Sequence, residues 1–170
     1  MTTTEHWNIE LDELDLRILR QLQEDSAPPS AALARELDMS APGLAKRLRK
    51  LAGSGVVRRE VVLLDRLALG LDVLCFVQVT LTHHQLDAVQ GFRTAIDAMP
   101  EVLECHHLTG EFDYLLKVVC RNHRDLESFL VERLTPTPGV DRIRTSIVLR
   151  EEKSTTALPL SESSPTEARG

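Results

Sequence analysis

The chain has 170 residues, mean hydropathy −0.13, and 42 % hydrophobic and 27 % charged residues, an ordinary globular composition sufficient for one domain or two small ones. No apolar run approaches the roughly 20 residues of a membrane helix, and the polar, acidic start lacks a signal-peptide pattern. The net charge of −6 argues only superficially against nucleic acid: no acid lies between Met39 and Arg59, where Lys46, Arg47, Arg49, Lys50, Arg58 and Arg59 supply six positive charges, and groove contacts obey local, salt-screened charge.

Leu11, Leu14, Ile18 and Leu22 recur at helical spacing and predict a first helix over about Asp12 to Glu24. Ser26 to Pro29 stops it, because proline lacks the amide a helix needs. Ser30 is a good N-cap for a short second helix through Leu33, Ala34 and Leu37. After a tight turn at Asp38 and Met39, Ser40 is the cap of a third helix, Ala41 to about Ala52, with Leu44, Leu48 and Leu51 inward. Pro42 is tolerated in its first turn. Two helices joined by a short turn form a helix-turn-helix. The third helix then carries Lys46, Arg47, Arg49 and Lys50 on its remaining sides, with Arg58 beyond it, for phosphates. Ser40, Ala41, Gly43 and Lys46 stand nearest to base edges in a major groove. Val56 to Arg59 and Val61 to Leu64 are expected to pair as a small hairpin, a wing. A basic solvated face in a bundle used for protein contacts is the bland alternative.

Beyond a connector at residues 65–71 the periodicity changes. Val73 to Leu81 reads as a strand, Gln85 to Met99 as a helix with Leu86, Val89, Phe92 and Ile96 inward, and Val102 to Leu108 and Asp113 to Cys120 as two strands. A helix from Asn122 or His123, with Leu126, Phe129, Leu130 and Leu134 inward, precedes a last strand, Asp141 to Leu149. The order β-α-β-β-α-β is the ferredoxin-like split arrangement, making the chain α+β: a winged helix-turn-helix over residues 11–64, a linker over 65–71 and a ferredoxin-like domain over 72–153. One sheet face is left open, and rich in Leu, Val and Phe it predicts dimerisation through the sheet. The Ser/Thr/Glu/Pro-rich residues 154–170 read as a flexible tail. Cys75, Cys105 and Cys120 lie in apolar strand-like runs and read as reduced, buried thiols in a cytoplasmic protein.

Within E-C-H-H-L-T-G-E-F-D-Y-L-L-K, Glu104 to Lys117, two strand-like runs fold around Thr109-Gly110-Glu111, where Gly110 supplies positive φ at little cost. Asp113, at the mouth of that hairpin, is either a turn cap or a contact for a small molecule.

These motifs together resemble the Lrp/AsnC (leucine-responsive, feast/famine) family of transcriptional regulators. The resemblance runs through L-D-E-L-D-L-R-I-L-R-Q-L-Q-E-D from Leu11, the segment Leu33 to Val57, the G-x-x-D element at Gly110 and Asp113, and P-G-V-D-R-I-R-T from Pro138. It covers about Leu11 to Lys153 in order. It implies a regulator of double-stranded DNA that dimerises through its C-terminal domain and often forms octamers. A small effector, commonly an amino acid, would bind between dimers and shift assembly and DNA affinity. The matching effector positions are Leu108, Thr109, Gly110, Asp113 and Leu115. A neighbouring subunit would present the Thr137 to Val140 loop, with Gly139 and Val140, together with Thr145 and Ser146. An α-ammonium would suit Asp113 and an α-carboxylate the amides near Gly110. Ser146 departs from the bulkier aromatic residue of some leucine-responsive members, leaving effector identity open.

Three other readings are weaker. Cys105, His106, His107, His83 and His84 invite a metal, but strand alternation sends His106 and His107 to opposite faces, and Cys105 with His107 is two ligands where structural zinc takes four. No nucleophile with an adjacent base, paired carboxylates or phosphate-cradling loop suggests an enzyme, and no cofactor beyond the amino-acid effector is expected. A ligand-sensing oligomer that does not touch DNA is the third.

Overall fold

Glu13–Glu24 (α1), Ser30–Glu36 (α2) and Ala41–Gly53 (α3) meet in a small apolar core because their leucines recur every third or fourth residue. The computed structural model describes residues 10–24, 30–82 and 86–160. Ile18, Leu33, Leu44 and Leu51 are buried in that core, with Leu11, Leu14, Leu22, Leu48, Val56 and Val57 packed around it. Asp38 takes a left-handed φ of 53° in the turn before α3. Ser40 caps α3, its Oγ accepting from the Gly43 amide at 3.3 Å, with Pro42 in the first turn. The expected stop at Ser26 to Pro29 lies outside the described residues.

The expected wing hairpin does not form: residues 56–64 contain no strand. The central Arg58, Arg59 and Glu60 include none of the Gly, Asn or Asp that a two-residue hairpin turn requires. Val56 and Val57 pack against the helices instead, and Val61, Val62, Leu63 and Leu64 are exposed.

The second unit, Leu64–Glu152, runs β1 (Val73–Leu81), α4 (Leu86–Asp97), β2 (Val102–His107), β3 (Tyr114–Cys120), α5 (His123–Ser128) continued by a π-helical turn (Phe129–Leu134), and β4 (Val140–Ile147). The sheet order is β2-β3-β1-β4, every neighbour antiparallel. Cys75, Val77 and Val79 of β1 and Leu116 and Val118 of β3 face Phe92, Ile96, Leu126, Phe129 and Leu134. The π-helical turn has a packing reason. Phe129 and Leu134 are both buried; five residues apart, they would diverge on an α-helix, whereas i→i+5 bonding, seen in Thr135 N–H to the Leu130 carbonyl (2.9 Å), returns them to one side.

The open sheet face is less apolar than expected. Register places Arg142, Arg144 and Ser146 of β4 beside Thr80, Gln78 and Phe76, and Lys117 of β3 on the other side of Phe76, so Phe76 lies between a cation and a serine. There Glu104 accepts from Lys117 (3.1 Å) and lies 3.0 Å from His106 Nε2, bonds that hold its carboxyl below the usual range, His106 first. Cys75 and Cys120 are buried, with burial pushing the Cys75 thiol up to about 11, but Cys105 on edge strand β2 is exposed, contrary to expectation.

Residues 154–160 also depart from the expected flexible tail. Residues 153–160 belong with the N-terminal unit. Gln23 exchanges two hydrogen bonds with the Leu158 backbone (2.6 and 3.2 Å), Arg20 donates to the Leu160 carbonyl (3.0 Å), and Leu160 packs against the helical core. Proline and serine content gives no hint of this, because backbone groups make most of the contact. Residues 161–170 lie outside the described residues. Leu160→Ala is expected to destabilise the N-terminal unit by about 1 kcal/mol, read as a lower urea midpoint with an unchanged slope.

Candidate DNA-reading helix and effector pocket

The basic residues of α3 divide into two sets. Arg47 donates to Asp12 (2.6 Å) and Asp15 (2.7 Å), and Lys50 to Asp15 (2.9 Å). Asp12 and Asp15 also close the start of α1 reciprocally: the Asp15 amide donates to Asp12 Oδ1 (2.8 Å) and the Asp12 amide to Asp15 Oδ2 (3.4 Å), a capping box built from two aspartates. Asp15 is fully buried. Its burial alone would raise the carboxyl, but the bonds from Lys50 and Arg47 outweigh that and hold it below the usual range. The Arg47 bond does the same for Asp12, and Asp12 in turn raises Arg47.

Lys46 and Arg49, three residues apart on a different stripe of α3, are exposed and, among the described residues, make no ion pair. Ala41 is exposed at the helix start and Gly43 is half-buried. Ser40 uses an oxygen lone pair as the cap and retains its O–H to donate. Arg58 is exposed beyond the helix. Sequence reasoning missed the Asp12–Asp15 clamp; its only linear signal is the acidic pair three residues apart at the start of α1, facing a helix whose cations recur at the same interval.

In the second unit, Gly110 has φ 128°, as the hairpin requires, and the Leu108 amide closes it onto the Asp113 carbonyl (2.9 Å). Asp113 does more than cap that turn. Its Oδ2 accepts from the Leu81 amide (2.7 Å) and its own amide donates to the Val79 carbonyl (3.0 Å), fastening the hairpin to the end of β1. Leu81 also pairs with Val140, and the Thr82 amide donates to Gly139 (2.9 Å), whose φ is 89°. One chain therefore gathers Leu108, Thr109, Gly110, Asp113, Gly139 and Val140 at one end of the sheet. Thr145 and Ser146 lie toward the far end of β4, opposite Val77 and Phe76 in the middle of β1, and so face opposite sides. Ser146 shares the open face with Leu115, which pairs with Gln78.

His107 and Cys105 do share a face, around Tyr114, whose ring lies 4.8 Å from that of His107. Among the described residues no group of three or more His, Cys, Asp or Glu could hold a metal; His83 and His84 lie outside them. No described helix is long and apolar enough to cross a membrane.

A helix-turn-helix whose third helix keeps two cations out of its ion pairs, followed by an α/β domain with a pinned glycine hairpin, has the plan of a one-component regulator: one unit for DNA, one for a ligand. Comparison with known proteins agrees. Residues 11–58 match the model for winged helix-turn-helix DNA-binding, and residues 74–158 that for the Lrp/AsnC ligand binding domain. A leucine-responsive regulatory protein of Rhizobium meliloti is 37 % identical over 145 residues, 85 % of this chain and 93 % of its own. Transcriptional regulator AzlB of Bacillus subtilis is 31 % identical over 154 residues, 91 % of this chain and 98 % of its own. A Neisseria meningitidis transcriptional regulator solved with L-Met superposes with a TM-score of 0.86 at 33 % identity, covering 88 % of this chain and 97 % of its own. The chain belongs to the Lrp/AsnC family: it is a DNA-binding transcriptional regulator with a ligand-binding domain, and not an enzyme.

Proposed function

We propose that this regulator acts in the cytoplasm, reads double-stranded DNA through α3, and answers to an amino acid bound at the Gly110 hairpin. The observation that carries the DNA half is the division of the α3 cations. Arg47 and Lys50 are tied to Asp12 and Asp15 and orient the helix, leaving Lys46 and Arg49 for DNA. Ser40, Ala41 and Gly43, at the helix start, stand close to base edges beside Lys46, and Arg58 meets phosphates. A joint Lys46→Ala and Arg49→Ala substitution is expected to weaken promoter binding at least tenfold and reduce the salt slope by about one per residue, measured by anisotropy titration at several salt concentrations. Unchanged affinity and slope would remove α3 as the reading element.

The effector's ammonium is placed against Asp113 and its carboxylate against the amides around Gly110, with Leu108, Thr109 and Val140 about its side chain. Leu115 would add to the pocket from the hairpin's own strand, and Thr145 and Ser146, with the Gly139 and Val140 loop, from neighbouring copies, joined as dimers through the sheet face and then as a higher oligomer such as an octamer. The L-Met bound to the Neisseria relative supports an amino acid as the ligand class. Such an effector works by favouring one assembly or DNA-binding state over another. A thermal-shift survey of the amino acids should find at least one that stabilises the protein, with the response weakened at least tenfold by Asp113→Asn. A hit that stabilises the Asp113→Asn variant equally would move the site elsewhere.

A further inference from the structure

Residues 153–160 are held on α1 by few contacts, and the hydrogen bonds that α1 makes to them, among the described residues, go to their main chain. Gln23 accepts from the Leu158 amide (2.6 Å) and donates to the Leu158 carbonyl (3.2 Å), the two-way exchange a neighbouring strand would make. Arg20, three residues earlier on the same stripe of α1, donates to the Leu160 carbonyl (3.0 Å). The Leu158 side chain is 69 % exposed, and the half-buried Leu160 packs against the helical core. Within the segment, the Ala157 amide donates to Thr155 Oγ1 (3.1 Å), a turn that needs no help from α1. Two exposed hydrogen bonds, one half-buried bond and one leucine describe an element that opens locally while the rest of its unit stays folded.

The helix it grips is the one that orients α3. Asp12 and Asp15, at the start of α1, accept from Arg47 and Lys50. The twelve residues of α1, at about 1.5 Å each, make a bar about 18 Å long. The clamp on α3 sits at one end of that bar, and Gln23 at the other.

We propose that residues 153–160 are a reversible latch on α1 that sets the DNA affinity of α3, the docked state binding more tightly. This rests on α3 being the reading helix. Docked, the latch restrains the Gln23 end of α1, so that Asp12 and Asp15 hold Arg47 and Lys50 in one orientation. Released, it frees that end and uncovers the core beside Leu160. The latch follows β4, which bears Thr145 and Ser146, along a single short stretch of chain. An effector that prefers the docked or the released chain therefore shifts DNA affinity through it.

The test uses the full chain with the exposed Cys105 replaced by serine. Gln23→Cys and Leu158→Cys are added, and anisotropy is measured on the promoter fragment before and after a short bismaleimide joins them. Joining is expected to raise affinity at least about fivefold. Amide exchange of the natural chain should show Leu158 opening at least about tenfold faster than Ile18. Should the double-cysteine chain misfold, the exchange rates and Gln23→Ala, expected to weaken binding by a similar factor, decide. Equal affinity before and after joining overturns the latch. Lys46→Ala with Arg49→Ala, run alongside, separates that failure from a failure of α3 as reader, since only in the latter does the pair leave binding unchanged. Exchange at Leu158 as slow as at Ile18, or a joined product that links two chains on a denaturing gel, would also overturn it.

Discussion

Asp15→Ala is expected to destabilise the N-terminal unit by about 2–3 kcal/mol and to weaken DNA binding as well. Breaking a buried ion pair costs about 3–5 kcal/mol when the remaining charge is trapped. Here the survivors can reach water, since the side chains of Arg47 and Lys50 are 29 % and 51 % exposed, which places the effect below that range. Besides two ion pairs, the substitution removes the acceptor that closes the capping box with Asp12. DNA binding suffers because α3 loses the bonds that set its rotation and because Arg47 and Lys50 are released to swing. The pH dependence has a definite sign. Both carboxyls are depressed in the fold, so their contribution is fully present above the unfolded value of about 4. It is lost as pH falls through the lower folded values. Urea midpoints taken between pH 7 and pH 3 should fall steeply at the acid end for the natural chain and less for Asp15→Ala. A variant with the natural midpoint at pH 7 would show that the clamp is ornamental.

Phe92→Ala should remove about 3–5 kcal/mol from the effector unit. Phe92 is fully buried and its ring lies 4.7 Å from that of Tyr114, tilted at 42°, while His107 stacks on the same tyrosine. The substitution therefore opens a cavity at the root of the hairpin, one residue from Asp113. Because the chain divides into two compact units, calorimetry should show the loss in one transition only. Tyr114, the sole tyrosine, supplies a fluorescence signal for that unit. The amino-acid response should fall with it, whereas α3 should keep its helical signature. A uniform loss across both transitions would mean the units unfold as one.

How far these features can be read from sequence depends on how local their causes are. The Ser40 cap, the inward leucines of α3 and the alternation along β1 each repeat within a few residues, and their elements are legible to within about two residues at each end. The open face is misjudged from sequence because its polarity depends on register: the pairing of Phe76 with Lys117 on one side and Ser146 on the other, and of Gln78 with Arg144, puts charged and polar side chains among the apolar ones. The π-helical turn follows from where Phe129 and Leu134 meet the sheet, which periodicity at 3.6 residues does not contain. Asp12 and Asp15 look like ordinary acids of a first helical turn, and their partners lie 32 to 35 residues away. In the effector region the glycine turn and its acid are visible, but the bond from Leu81 to Asp113 joins segments 32 residues apart.

The segment at Leu158 and Leu160 has a consequence for the order of folding. Its bonds to Gln23 close a loop spanning 135 residues, and closing so long a flexible chain opposes the contact by about 4 kcal/mol of entropy. Once Leu64–Glu152 has folded, Arg66 and Glu151 bring its two ends together, and most of that penalty has already been met. During synthesis the helical unit thus leaves the ribosome with one side of its core uncovered. It gains Leu160 only after the effector unit has been made, so the reading head is finished by a piece of chain that arrives after the sensor.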